Sequence, residues 1–77
     1  MSLSFADLAV GDSARVLSYH GLADSYRKKL MSMGLIPGTC FQVERRAPLG
    51  DPVEINVRGF RLSLRRQEAA GLQVERL

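Results

Sequence analysis

Strict alternation of apolar and polar residues on both sides of one two-residue turn constrains this chain more than any other feature. Val53, Ile55 and Val57 alternate with Glu54, Asn56 and Arg58, and Phe60, Leu62 and Leu64 alternate with Arg61, Ser63 and Arg65. Arg58-Gly59 lies between the runs, and glycine takes positive φ without steric cost. A two-residue hairpin turn pairs Val57 with Phe60, Ile55 with Leu62 and Val53 with Leu64. Every inward residue then meets an inward residue, so register and hydrophobic pattern agree. Phe60 is accordingly expected in the core.

The flanking segments extend this into an all-in-one domain over residues 1–77. Ser4 and Asp7 match a short capping box, predicting one helical turn at 5–8 with Phe5 and Leu8 inward. Gly11-Asp12 turns the chain into a strand at 13–19, where Ala14 and Val16 alternate with Arg15 and Leu17. Ala23, Tyr26, Leu30 and Met33 share one face of a helix predicted over 23–33. Gly34 suits its left-handed end, Leu35 folds back on the last turn, and Pro37 prevents continuation. A strand at 39–45 turns Phe41 and Val43 inward. The rigid loop Ala47-Pro48-Leu49-Gly50-Asp51-Pro52 follows the strand. A turn at 67–70 leads to a last strand at 72–76, with Leu72 and Val74 inward. The seven glycines all fall between periodic segments and read as turn punctuation. Five short strands and one helix after the first predict a mainly β fold, a small SH3-like, partly open barrel with the helix over one end.

Nothing covalent reinforces such a barrel. In 77 residues there is one cysteine, Cys40, and one histidine, His20, so neither an internal disulfide nor a structural zinc set is available. Packing must hold the fold, and 45% hydrophobic residues suffice to attempt it. No run approaches the ~20 apolar residues that span a bilayer. The start, Met1 to Asp7, lacks a basic region and a long apolar run, which predicts no secretory signal. With a single thiol, this points to the cytoplasm and to no direct membrane insertion.

Three segments carry a family resemblance. Leu30-x-x-Met33-Gly34-Leu35-x-Pro37-Gly38, then Ala47-Pro48-Leu49-Gly50-Asp51-Pro52, then Gly59-x-x-Leu62-Ser63-Leu64-Arg65 with Glu68-Ala69 beyond, occur in that order. From about Leu8 to Val74 the chain resembles the FeoA family, small cytoplasmic accessory proteins of bacterial ferrous iron uptake. The resemblance implies an SH3-like domain similar to the C-terminal domain of metal-dependent repressors, here as the stand-alone module. It implies as partner the cytoplasmic part of FeoB, the large GTPase-coupled membrane transporter.

Read on their own, the residues disfavour the sharper chemistries. His20 and Cys40 lack a third orienting group or an oxyanion hole, so His20 reads as a solvent-facing loop residue and Cys40 as a buried or half-buried thiol. No enzyme activity and no cofactor site are expected. The carboxylates are scattered, Met31 and Met33 point to different helix faces, and no metal site is assigned. Residues 45–66 carry Arg45, Arg46, Arg58, Arg61, Arg65 and Arg66 against Asp51 and Glu54. Glu54 is expected diagonal to Arg61 and Arg65, blunting both. The remaining arginines, with Leu49 at its loop tip and Met31, are the candidate partner-binding residues: Met31, Arg45, Arg46, Leu49, Arg58 and Arg66. Leu49 has two readings, tucked against the core edge or presented as an apolar knob. A small RNA-binding barrel and a metal-responsive module are the alternatives. No nucleic acid is expected as partner, because Phe41 and Phe60 both read as core and leave no stacking platform. Leu17, Met31, Leu77 or an edge strand are candidates for a weak self-contact.

Overall fold

In the computed structural model, which describes residues 3–77, the chain runs β1 (Leu3–Ser4), a 3-10 turn (Phe5–Asp7), β2 (Ser13–Tyr19), α1 (Asp24–Ser32), β3 (Cys40–Arg46), β4 (Val53–Val57), β5 (Phe60–Leu64), α2 (Arg66–Ala69) and β6 (Leu72–Arg76). Met1 and Ser2, which begin the N-terminal segment and the single domain read across 1–77, lie outside the described residues. The six strands form one antiparallel sheet in the order β1-β6-β2-β3-β4-β5. Its two ends, β1 and β5, do not pair with each other among the described residues, so the curved sheet is open there. The sixth strand, β1, is two residues long and too short to leave a periodic signal. The expected turn before the last strand is the single helical turn α2.

The hairpin has the expected register, with Val53 opposite Leu64, Ile55 opposite Leu62 and Val57 opposite Phe60. Arg58 and Gly59 both take positive φ, 53° and 86°, the pattern of a type I′ turn whose twist matches the strands it joins. The Gly59 N–H is held by Asn56 Oδ1 at 3.0 Å.

Helix α1 ends as its sequence implies. Gly34 has φ 89°, the Gly34 N–H donates to the Met31 carbonyl at 3.0 Å, and the Leu35 N–H donates to the Leu30 carbonyl at 3.0 Å. The first bond satisfies the Met31 carbonyl at the helix end, and the second adds to the bond that the Leu30 carbonyl accepts from the Met33 N–H. They also turn Leu35 back beside Leu30, and both side chains are fully buried. Burial of a leucine contributes roughly 1.5–3 kcal/mol, so this corner is a large part of the core. The Tyr19 hydroxyl donates to the Leu35 carbonyl and pins the same corner to β2. Burial pushes that hydroxyl's pKa up, and Arg27 draws it partly back. The helix's inner face is narrower than expected: Leu30 is buried, Tyr26 and Met33 are half-buried, and Ala23 is exposed.

Two bulges, neither visible in the sequence, decide which residues face the core. On β2 the pairing with β6 shifts between Val16 and Ser18. Leu17 is the extra residue, so Tyr19 rather than Ser18 turns toward the core opposite buried Leu72. On β3 the pairing with β4 shifts between Val43 and Arg45, with Glu44 the extra residue. Arg45 then lies opposite Glu54, and Arg46 lies opposite buried Val53. Inside, Phe5 and Phe41 stack with ring centroids 5.9 Å apart.

Gly71 departs from the punctuation reading, because it is needed for space and not for a positive φ. The His20 N–H donates to the Gly71 carbonyl at 2.7 Å, joining the chain after β2 to the start of β6. A Cβ at Gly71 would collide with the His20 carbonyl oxygen and stand 2.6 Å from Leu22 Cγ. Gly71→Ala is expected to destabilise the fold by roughly 1–3 kcal/mol through overpacking, read as a lower urea midpoint. A Gly71→Ala protein as stable as the parent would contradict this close approach.

Candidate functional site

The loop between β3 and β4 is braced at both ends. The Ala47 N–H donates to the Pro52 carbonyl at 3.1 Å, and the Gly50 N–H donates to the Ala47 carbonyl at 2.7 Å. Asp51 Oδ1 accepts the Arg66 N–H at 2.8 Å, tying the loop to the start of α2. Gly50 has φ 90°, and the turn it completes carries Leu49 outward. Leu49 is 95% exposed, so the inward reading is overturned and the side chain is a knob on a stiff base.

Beneath the loop is an open cleft of about 450 Å³, lined by Arg45, Arg46, Ala47, Pro48, Pro52, Glu54 and Ser63. Its charges are arranged differently from expectation. Glu54 does not blunt Arg61 and Arg65: its Oε2 accepts from Arg45 Nη2 at 2.6 Å and Arg45 Nε at 2.7 Å. The bulge at Glu44 is the cause, since it sets Arg45 directly across from Glu54. Arg46 Nη2 donates to the Leu8 carbonyl at 2.7 Å, so this arginine also has a structural task. No ion pair engages Arg58, Arg61, Arg65 or Arg66 among the described residues.

Of the six candidate residues, four gather here. Arg45 and Arg46 line the cleft, Leu49 stands above it, and the Arg66 guanidinium lies against Gly50. Arg58 does not join them, because it sits at the far end of β4, about 17 Å away for five residues of strand. Met31 is exposed on α1, outside the cleft lining.

Two other expectations fail. Phe60 is 72% exposed although Val57, directly opposite, is buried. Strand β5 is a sheet edge, and its inward face is covered progressively toward Leu64, which is fully buried; the hairpin tip overhangs the core. Cys40 is exposed, since it shares the outward face of β3 with Gln42, opposite exposed Arg15. His20 is exposed in the turn after β2, about 15 Å along that strand from the Arg15–Cys40 pairing. Among the described residues no group of three or more His, Cys, Asp or Glu side chains is placed to hold a metal ion.

The whole-chain pattern matches one known family: a model of the FeoA domain fits residues 1–76. The chain belongs to the FeoA family. It is thus a ferrous iron transport accessory domain of a family without catalysis of its own. The FeoA protein of Chlorobium tepidum is 41% identical, with a TM-score of 0.87 over 97% of this chain and 70% of that one. A zinc-complexed FeoA of Stenotrophomonas maltophilia, described as an SH3 domain protein, is 26% identical, with a TM-score of 0.81 over 95% of this chain and 89% of that one. A fusion of Fe(2+) transport protein A with the Fe(2+) transporter FeoB in Porphyromonas gingivalis is 34% identical over 73 residues, which are 95% of this chain and 8% of the fusion. IdeR of T. acidophilum, at 22% identity, and a manganese-dependent transcriptional repressor, at 16%, share the fold alone.

The platform under the loop depends on one carboxylate. Glu68 Oε2 pairs with Lys29 of α1, and Glu68 Oε1 accepts the Arg65 N–H at 3.2 Å, so α1, α2 and the loop anchored by Asp51 are linked in series. The hydrogen bond from Lys29, then that from the Arg65 backbone, holds the Glu68 carboxyl below the ordinary Glu value. The unfolded chain therefore takes up this proton at higher pH than the folded one. The contribution is present at neutral pH and is lost as pH falls below about 4.3 and through the lower folded value. Urea midpoints are expected to fall over that range, and Glu68→Gln is expected to flatten the slope; an identical slope in the variant would contradict the link.

Proposed function

We propose that this domain docks on the cytoplasmic part of a FeoB-type membrane transporter and supports its assembly or activity. One observation carries the reading: in the Porphyromonas gingivalis relative the same domain is fused to that transporter. A covalent link gives two domains a high effective concentration for one another, which is useful where they work in contact. The described residues include no helix long and apolar enough to cross a membrane.

The docking face in this proposal is the loop and its surroundings. Leu49 supplies an apolar anchor that is already held in position, so little conformational freedom is lost on binding. Arg66 beside it, with no ion pair among the described residues, and the Arg45–Glu54 pair on the cleft rim give a polar border to that anchor. Arg46 contributes through shape, because its guanidinium holds the Leu8 carbonyl. Arg58 and Met31 lie outside this face and are given no part in it. For RNA binding, the exposure of Phe60 supplies one ring, short of the run of aromatics on which successive bases stack.

Titration of the transporter's cytoplasmic domain with this protein tests the proposal. Leu49→Ala is expected to weaken binding about tenfold, equivalent to 1.4 kcal/mol. Its urea midpoint should be unchanged, within about 0.5 kcal/mol, because the side chain packs on nothing. Arg66→Glu is expected to slow association and reduce its dependence on salt. Absence of binding by the parent protein would remove the proposal, and equal binding by all three proteins would remove this face.

A further inference from the structure

The outer edge of β5 has three properties that the docking loop does not use. First, it is the end of the sheet, pairing with β4 alone. In a hairpin closed by a two-residue turn, the flanking pair Val57–Phe60 exchanges both backbone bonds, as do Ile55–Leu62 and Val53–Leu64. The N–H and C=O groups of Arg61 and Ser63 therefore point away from β4, and no other backbone bond engages them among the described residues. The next outward N–H, that of Arg65, is already satisfied by Glu68, which ends the free stretch.

Second, this edge is basic and carries no acid of its own. Arg58, Arg61 and Arg65 flank it with no ion pair among the described residues, and residues 58–66 include no Asp or Glu. The acids nearest to it are already engaged: Glu68 accepts the Arg65 N–H, Asp51 accepts the Arg66 N–H, and Glu54, which shares a small depression with Glu44 and Arg61, is paired with Arg45. Third, Phe60 is 72% exposed at the start of the strand, an apolar ring without intramolecular cover.

We propose that the free edge of β5 is a strand-addition site for an acidic, extended segment of another protein. The open N–H and C=O groups of Arg61 and Ser63 supply the main-chain ladder. The arginines select acidic side chains at alternate positions, and Phe60 receives an apolar one at the end of the added strand. The charges also disfavour a second copy of this chain as occupant. An antiparallel β5–β5 pairing centred on Ser63 sets Arg61 of each strand opposite Arg65 of the other, and like charges directly opposite are destabilising. This site adjoins the cleft under the Leu49 loop, which Ser63 also lines, but it uses the free backbone edge of β5 and stands whether or not that loop is the transporter's contact.

The test uses the full chain and an eight-residue peptide alternating Glu with Val, followed by amide hydrogen exchange and chemical shifts. Saturable binding that protects the Arg61 and Ser63 amides is expected, with roughly tenfold weaker binding by an Arg61→Glu, Arg65→Glu double variant. The same peptide N-methylated at alternate residues keeps the charges but cannot complete the ladder, and it should not bind. Equal affinity for the N-methylated peptide would overturn the proposal, because the contact would then be charge alone. Protection of the same two amides without peptide, rising with protein concentration, would overturn it in favour of self-pairing. Binding of a single-stranded RNA oligonucleotide that shifts Phe60 while the peptide does nothing would overturn it in favour of nucleic acid.

Discussion

One extra residue in β3 sets the chemistry of the face this domain presents. Up to Val43 the strand alternates as a half-buried strand should, with Phe41 and Val43 in the core. The bulge at Glu44 moves Arg45 onto Glu54 and Arg46 toward Leu8. Without it, alternation would aim the Arg45 position at the core and leave Arg46 outside. A guanidinium pointed into a packed apolar interior is costly unless paired; the bulge shifts the core-side position from Arg45 to Arg46, where the Leu8 carbonyl accepts the guanidinium, and leaves Arg45 outside on Glu54. The Pro48–Pro52 loop follows directly on the end of the bulged strand.

The remaining architecture supports this corner from three sides. The 53–64 hairpin gives β4 a fixed partner, so Glu54 stands in register for Arg45. The 3-10 turn places the Leu8 carbonyl for Arg46. Helix α2, held to α1 by Lys29–Glu68, provides the Arg66 N–H for Asp51. A 77-residue chain without a disulfide has little stability to spare, and here hydrogen bonds within the loop and to the start of α2 brace the exposed loop. A preformed loop of this kind loses little entropy on binding, which suits a domain whose family role is accessory and not catalytic.

Local pattern made much of this legible. Strand limits at 13–19 and 72–76, the hairpin register and the Gly34–Leu35 helix end are all set by residues near in sequence, and they stand as expected. What depended on distant residues was hidden. A bulge leaves no break in an apolar alternation that its own residues terminate, so Arg45 could not be assigned to Glu54. Phe60 belongs to an inward-facing pattern, yet burial requires something on the other side, and an edge strand's tip has nothing there. Gly71 looked like any turn glycine until His20 and Leu22 were found packed against it. Leu49 was ambiguous because loop apolar residues often tuck inward, and only the Asp51 tether and the Gly50 turn direct this one to solvent.

The family assignment rests on the whole chain, whereas the docking face rests on this one corner. The direct test is an amide chemical-shift map of the labelled domain with and without the cytoplasmic domain of a FeoB-type transporter. Perturbations concentrated at residues 45–52, Ser63 and Arg66, with Val10 and Leu77 unaffected, are the predicted result. A map centred on Val10 and Leu77, or on α1 around Met31 with the loop silent, would contradict the account.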